Sequence, residues 1–364
     1  MLSQKQLNML GVESHQDVRT STIKKLVPNL NNKRNYIVHY RNLQLYTALG
    51  MQLTKIHRVL SFDQSPWLKS YIDFNTSMRA RAKNDFEKSF FKLMNNAMFG
   101  KTMENLRKRR NIELISKEEQ LRKRVIQPSF KDFKIFHENL ISIERRKTTI
   151  KLNRPIYTGF CVLDLSKVLM YNFHYLHIKI LYPKNRSQLL FTDTDSLTYA
   201  IKTDDIYEDM LNDNNLYDFS GYPVEHKCFS NENKKVIGKF KDELNGEPLQ
   251  EFIGLKAKMY SLKYHRNGKI VEEKKAKGVK KCVVKKKIAH QDYKDCLFEN
   301  STIYRTSTSI RSIGHQLYTL KQNKKSLSAF DDKRYILDDG TSTLPHGHYK
   351  ICLLYTSPSP RDRG

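Results

Sequence analysis

Long hydrophobic runs are missing from this 364-residue chain. No apolar stretch approaches the ~18 residues that span a bilayer, and nothing at the amino terminus has the pattern of a secretory signal. Cysteine is sparse: Cys161, Cys228, Cys282, Cys296 and Cys352 are odd in number, far apart and form no CxxC pair. That excludes the usual zinc and dithiol motifs and describes a reduced, intracellular chain with unpaired thiols. The histidines fall into no HExxH or facial-triad spacing, and His346-Gly347-His348 reads as a loop rather than a ligand pair. No internal repeat occurs at a fixed period, which excludes solenoids and propellers. Acidic residues are the last deficit, with 38 Asp plus Glu against 65 Lys plus Arg and a net charge of +27. Self-repulsion on that scale calls for a polyanionic partner, and nucleic acid fits better than an anionic membrane surface.

What remains is ample for folding. Hydrophobic residues make up 39% of the chain and aromatics 11%, enough for two or three lobes with a charged surface. Near the start, Tyr36 to Tyr40 is strand-like and Gln44 to Met51 helical. From Asn84 to Phe99 the pattern predicts a helix with Phe86, Phe90, Leu93 and Ala97 on its packing stripe and Asn84 with Glu87 as a cap pair. Lys88, Lys92, Asn95, Asn96 and Phe99 share the opposite face, and Gly100 suits a helix end or a close backbone approach. A second long helix is predicted from Val162 to Ile180, with Leu165, Leu169, Phe173 and Leu176 as an ordinary core stripe. Basic clusters at Arg107 to Arg110, Arg122 to Arg124 and Arg145 to Lys147 are each a solvated face alone, and together suggest a track.

Leu189 to Ile201 reads as strand, tight turn and strand, displaying Phe191-Thr192-Asp193-Thr194-Asp195-Ser196. Two carboxylates at i and i+2 of a turn repel unless a cation lies between them, so Mg²⁺ or Mn²⁺ is the physical expectation at Asp193 and Asp195. Read alone, the segment is equally an Asp-rich surface turn. In the predicted helix, Lys92, Asn96 and Phe99 lie on successive turns of one face, where a lysine can hold a triphosphate and a ring can stack on a sugar or base. Further on, Lys258 and Tyr260, in Lys256-Ala257-Lys258-Met259-Tyr260, are read as two apart on a strand and on one side of it, ready to meet a nucleic-acid backbone. Between Lys274 and Lys287 eight lysines, Lys280 and Lys281 among them, surround Gly278. That run fits a solvated hairpin, a nuclear import signal or a phosphate-binding tip.

In order and rough separation these three elements resemble the motifs of family B DNA polymerases. Lys92 with Asn96-Ala97-Met98-Phe99-Gly100 resembles the fingers motif Lys-x-x-x-Asn-Ser-x-Tyr-Gly, Phe191 to Ser196 the palm motif Tyr-x-Asp-Thr-Asp-Ser, and Lys258-Met259-Tyr260 the motif Lys-x-Tyr. The likeness is strongest to the protein-primed branch, in particular to polymerases of Polinton or Maverick transposons, and spans about Tyr36 to Ile351. It implies an α+β right-hand core with an antiparallel palm sheet, helical fingers and a mixed thumb. It also implies template-directed addition of deoxynucleotides to a DNA primer, with a terminal protein as a priming partner and no role for a membrane; the transposon likeness extends this to a nuclear location.

By that resemblance Lys92 binds the nucleotide phosphates, and Asn96 and Phe99 pack near its sugar and the templating base. Asp195 is a direct metal ligand with Asp193 in support, and Lys258 and Tyr260 hold the primer terminus, with Lys280 and Lys281 as further DNA contacts. The expected divisions are 1–80, a truncated palm and insertion region; 81–125, fingers; 126–260, palm; 261–352, thumb; and 353–364, a non-native tail.

The sequence departs from the family pattern. Ala97 and Phe99 stand where serine and tyrosine are usual. No Asp-x-x-Ser-Leu-Tyr-Pro segment precedes Lys92, and Leu181-Tyr182-Pro183 lacks the aspartate and stands elsewhere. The acidic motifs of the family's proofreading exonuclease are missing too. These departures imply a fragment that is nearly inactive alone. Two other readings stay open: a nucleic-acid-binding remnant, and a metal-dependent nuclease or other phosphoryl transferase on the DTD turn. The latter leaves Lys92, Asn96 and Phe99 unexplained.

Overall fold

The structure is a computed structural model and describes residues 27–313 and 316–351. The expected tail at 353–364 and Cys352 lie outside the described residues. The fold is α+β, with several small antiparallel sheets. It divides into a helix-rich unit, Asn35–His177 with Ile310–Tyr318, and a sheet-rich unit, the described parts of Met1–Arg34, Ile178–Ser309 and Thr319–Gly364. Among the described residues no helix is long and apolar enough to cross a membrane.

In the helix-rich unit the strand expected at Tyr36 to Tyr40 does not form, and α1 (Tyr40–Ala48) is the helix expected at Gln44 to Met51, set a few residues earlier. His39 caps it, and buried Asn42 donates to the Asp164 carbonyl at 2.9 Å, tying α1 to a later helix. Helices α2 (Lys69–Arg81) and α3 (Asp85–Thr102) form a helical hairpin. The predicted cap is present: the Asn84 side chain accepts from the Glu87 amide at 2.8 Å, while the Glu87 carboxylate accepts from the Lys83 amide at 3.0 Å. Helix α3 runs through Gly100 rather than stopping there.

Its packing face also differs from the sequence expectation. Phe86, Phe90, Leu93 and Ala97 are exposed, and Phe91, Met94, Asn95, Met98 and Thr102 turn inward. Both stripes are apolar with helical period, so only the tertiary neighbours decide between them.

A three-stranded sheet, ordered β1-β3-β2, is inserted after α3: β1 (Asn111–Ile115), β2 (Phe130–His137) and β3 (Leu140–Arg145), with α4 (Glu118–Val125) between the first two. The chain then enters α5 (Ile156–Tyr171), which continues as a π-helical stretch, Asn172–Ile178. The helix thus begins before Val162, and Leu165, Leu169 and Leu176 of the expected core stripe are exposed. The inward positions are Gly159, Asp164 and Met170. A Cβ on Gly159 would fall 2.5 Å from Met103 and Thr102 side-chain atoms, so glycine is what lets α5 approach the end of α3.

In the sheet-rich unit, β4 (Ser187–Thr192) and β5 (Leu197–Ile201) form the predicted hairpin. Tyr182 of Leu181-Tyr182-Pro183 is buried and donates its hydroxyl to Asp209 of α6 (Ile206–Asn212) at 2.6 Å, a structural role. Strands β6 (Leu249–Lys256), β7 (Met259–Arg266) and β8 (Lys269–Ala276) make the central antiparallel sheet. One face buries Ile253, Leu255, Met259 and Ala276 against Val284 and Ile288 from α7 (Lys281–Lys287) and its exit, and Tyr293 and Cys296 of α8 (His290–Phe298). The lysine-rich run around Gly278 is therefore strand, turn and helix rather than a hairpin. Strands β9 (Ile303–Ile313) and β10 (Gln316–Leu327) pair, as do β11 (Tyr335–Ile336) and β12 (Thr343–Leu344).

Candidate functional site

Four residues, Asp193 to Ser196, connect β4 to β5 in a tight turn. Thr192 pairs with Leu197, the Asp193 amide donates to the Ser196 carbonyl at 3.1 Å, and the Asp195 amide folds back to the Asp193 carbonyl at 2.7 Å. Thr194 holds φ +62°, a left-handed conformation that a β-branched residue adopts only at a cost. Two carboxylates are thereby displayed on one tight turn: Asp195 is exposed and Asp193 half-buried.

What orients this turn is Phe191, next to a bulge in β4 between Leu189 and Phe191. Its ring stacks on Tyr260 at 4.5 Å and on Phe252 at 5.3 Å between centroids. Gly254 makes room for that arrangement. It pairs with Tyr260 across the β6–β7 ladder, and a Cβ there would lie 2.8 Å from the tip of the Phe252 ring. The face of the central sheet opposite the α7–α8 core is thus an aromatic seat for the DTDS hairpin. Each offset ring pair contributes roughly 0.5–1.5 kcal/mol beyond the area it buries.

This seat brings the second motif to the first. The β6–β7 connection is Ala257-Lys258, so Lys258 lies on a turn, with φ +61°, and not on a strand beside Tyr260 as the period-two reading had it. Its Nζ nevertheless stands 3.1 Å from Asp193 Oδ1. The Lys277 amide donates to the Lys258 carbonyl at 3.1 Å and fixes the turn. Burial, and then Asp193 and Glu273, push the Tyr260 hydroxyl pKa upward, so that hydroxyl remains a donor at neutral pH. Lys256 points elsewhere: its ammonium donates to the Phe330 carbonyl at 3.0 Å, and burial lowers its pKa.

Lys280 caps α7 and Lys281 opens it, both exposed, with the Lys280 ammonium on the Thr308 carbonyl. The remaining predicted residues belong to the helix-rich unit. Lys92, Asn96 and Phe99 are all exposed on one face of α3, next to the exposed Phe86, Phe90, Leu93 stripe. The basic clusters gather about the inserted sheet and are partly neutralised by carboxylates. Arg122 pairs with Glu118, Arg124 and Arg145 with Glu113, and Arg109 with Glu104.

Asp193 and Asp195 suit a hard cation. Mg²⁺ typically takes one or two protein carboxylates and completes its shell with water and substrate phosphate, and the Lys258 ammonium already occupies the cationic position beside Asp193. No group of three or more His, Cys, Asp or Glu side chains placed to hold a metal occurs among the described residues. The donor set therefore fits one ion shared with substrate and not a self-contained two-ion centre.

Phe252 and Gly254 are the site residues that motif reading missed. Their signal is a glycine within a strand, two residues after an aromatic. No family model matches the chain, and neither a curated protein nor a solved structure matches it.

Proposed function

We propose that this chain carries the nucleotide-binding and primer-holding part of a template-directed DNA polymerase of the family B, protein-primed kind, built as a right hand with Lys92 on the fingers and Asp193 and Asp195 on the palm. The supporting observation is the junction of two motifs distant in sequence: Lys258 on Asp193 at 3.1 Å, and Tyr260 on Phe191 at 4.5 Å. A surface DTD turn has no need of a lysine and a tyrosine delivered to it by a separate hairpin.

In this reading Asp195 and Asp193 hold Mg²⁺, whose charge, when bound, neutralises the nucleotide's phosphates and favours ionisation of the primer 3′ hydroxyl. Lys258 and Tyr260 position the primer-terminal backbone. Lys92 binds the triphosphate as a point charge, and Asn96 and Phe99 border the sugar and templating base. Lys280, Lys281 and the general excess of positive charge hold primer-template duplex with an affinity that falls steeply with salt.

The second reading, a nucleic-acid-binding remnant, is favoured by a specific observation: no third carboxylate groups with Asp193 and Asp195 among the described residues. Primer extension in Mg²⁺ separates the two. The chain alone is compared with the chain joined to a segment supplying Asp-x-x-Ser-Leu-Tyr-Pro, with Asp195→Asn in each. Extension by the joined wild type only supports the polymerase reading. Duplex binding without extension by any of the four supports the remnant.

A further inference from the structure

Between α1 and α2 the chain passes from residue 51 to residue 66 without a helix, strand, turn or bend, and every residue of that stretch is exposed. A backbone that neither turns nor bends over such a length is extended. Its two ends are held. The Met51 amide donates to the Tyr46 carbonyl at 2.9 Å, and the Phe62 ring stacks on Tyr157 of α5 with centroids 4.7 Å apart. Between these anchors, among the described residues, no backbone N–H or C=O of residues 52–65 meets a hydrogen-bonding partner in the chain. Connections longer than about 12–15 residues with no structure of their own are uncommon, and those that occur are mostly functional.

The composition is that of a strand and not of a solvated connection. Connections are rich in Gly, Pro, Asn, Asp and Ser, and of these residues 51–62 contain only Ser61. Instead they carry Met51, Leu53, Ile56, Val59, Leu60 and Phe62, with Val59 76% and Leu60 72% exposed. Thr54, Ile56, Val59 and Phe62 have the shapes that favour a pleated surface. Successive side chains of an extended chain alternate, so Met51, Leu53 and Val59 share one side and Ile56, Leu60 and Phe62 the other. The segment is an unpaired strand, apolar on both faces, with both rows of backbone groups open.

Open backbone groups at strand spacing are matched by another extended backbone. Charge then selects which one. Lys55, His57 and Arg58 stand at the middle of the segment, and among the described residues neither Lys55 nor Arg58 pairs with a carboxylate. Two copies of the chain paired antiparallel about this centre would set Lys55 against Arg58, and each copy carries a net charge of +27. We propose that residues 51–62 form a docking edge for a β-strand of another polypeptide, one that alternates apolar residues with Asp or Glu and joins the edge through main-chain hydrogen bonds. Holding the edge extended beforehand lowers the ordering cost of docking. None of the motif residues takes part, so this site stands apart from the polymerase reading.

The test uses the whole chain and a labelled synthetic peptide that alternates valine with glutamate. Its controls are the same residues arranged in two blocks and a valine–lysine version. Fluorescence anisotropy should show saturable binding of the alternating acidic peptide alone, and hydrogen–deuterium exchange at residues 52–62 should slow roughly 10-fold or more in its presence. Leu53→Pro/Val59→Pro removes two N–H groups from one side of the edge, and Thr54→Pro/Leu60→Pro removes two from the other. None of these groups has a partner in the chain, so thermal melts of both variants should match wild type. At least one of the two should bind the peptide roughly 10-fold more weakly, as the loss of two main-chain hydrogen bonds requires. Alanine at the same positions keeps the N–H groups and should lose less.

Equal binding of the block-order peptide would reduce the effect to charge and overturn the proposal. So would unchanged exchange at residues 52–62, which needs no variant and therefore holds even if a proline pair disturbs folding. Undiminished binding in both proline variants, or equal losses with alanine, would leave side chains alone in the contact and overturn the strand assignment. A concentration-dependent dimer of the wild-type chain in sedimentation velocity, lost in a proline variant, would give the edge to a second copy and overturn the assignment to another polypeptide.

Discussion

The two units present their motif residues in opposite ways. In the sheet-rich unit the motif residues interlock: Phe191 lies on Tyr260 and Phe252, and Lys258 on Asp193. In the helix-rich unit Lys92, Asn96 and Phe99 project from an exposed face of α3, and what aligns them is the helix itself. One group is positioned by side-chain packing, the other by backbone alone. Substitutions in the first should therefore couple to one another and to stability, whereas those in the second should act singly and leave stability unchanged.

The largest expected effect follows from removing the aromatic seat. Phe191→Ala should lower unfolding stability by about 2 kcal/mol, less than for a fully buried ring because Phe191 is half-buried. Gly254→Ala should cost about 1 kcal/mol by pushing the Phe252 ring off the strand. The double variant should lose less than the sum, since both changes dismantle the same stack. Denaturant melts that show strict additivity would break the picture of a shared seat.

A smaller coupling is expected between Asp193 and Lys258. Lys258 is 59% exposed, so a double-mutant cycle with Asp193→Asn and Lys258→Gln should return about 0.5 kcal/mol, shrinking in high salt. A coupling that salt does not change would mean the contact is not ionic.

Acid should then distinguish the units by a different route. Glu104 in the helix-rich unit is held at about 2 by Arg109, Lys101 and Arg154. A depressed carboxyl contributes stability that is present above its unfolded value, near 4.5, and is lost as pH falls toward 2. Thermal melts from pH 6 to pH 2.5 should show a decline that Glu104→Gln reduces, and an unchanged profile in that variant would remove the Glu104 network from the account.

The smallest stability effects belong to α3. Lys92→Ala and Asn96→Ala should leave stability within about 0.5 kcal/mol of wild type while weakening deoxynucleotide binding, as read by equilibrium dialysis. Loss of both together would mean that this face packs rather than presents.

These contrasts also explain what the sequence could reveal. The DTDS hairpin, the Asn84–Glu87 cap and the two long helices follow from local rules of period and capping. The inward face of α3 does not, because Phe86, Phe90 and Leu93 form as good a stripe as Phe91, Met94 and Met98. Nor does the Ala257-Lys258 turn, since a lysine at φ +61° replaces the glycine or asparagine that would mark it. The seat of Phe191 depends on partners in another hairpin. Long-range juxtapositions of that kind leave no local periodicity to read.

The most direct test is Mn²⁺ binding, followed by electron paramagnetic resonance with primer-template and a deoxynucleotide present, for the wild-type chain, Asp195→Asn and Lys258→Gln. The account predicts a nucleotide-dependent bound-ion signal that Asp195→Asn removes and Lys258→Gln leaves at least as strong, because the ammonium and the ion share Asp193. A signal unaffected by Asp195→Asn, or no bound ion in the wild type under any of these conditions, would contradict a metal-dependent nucleotide site at this hairpin.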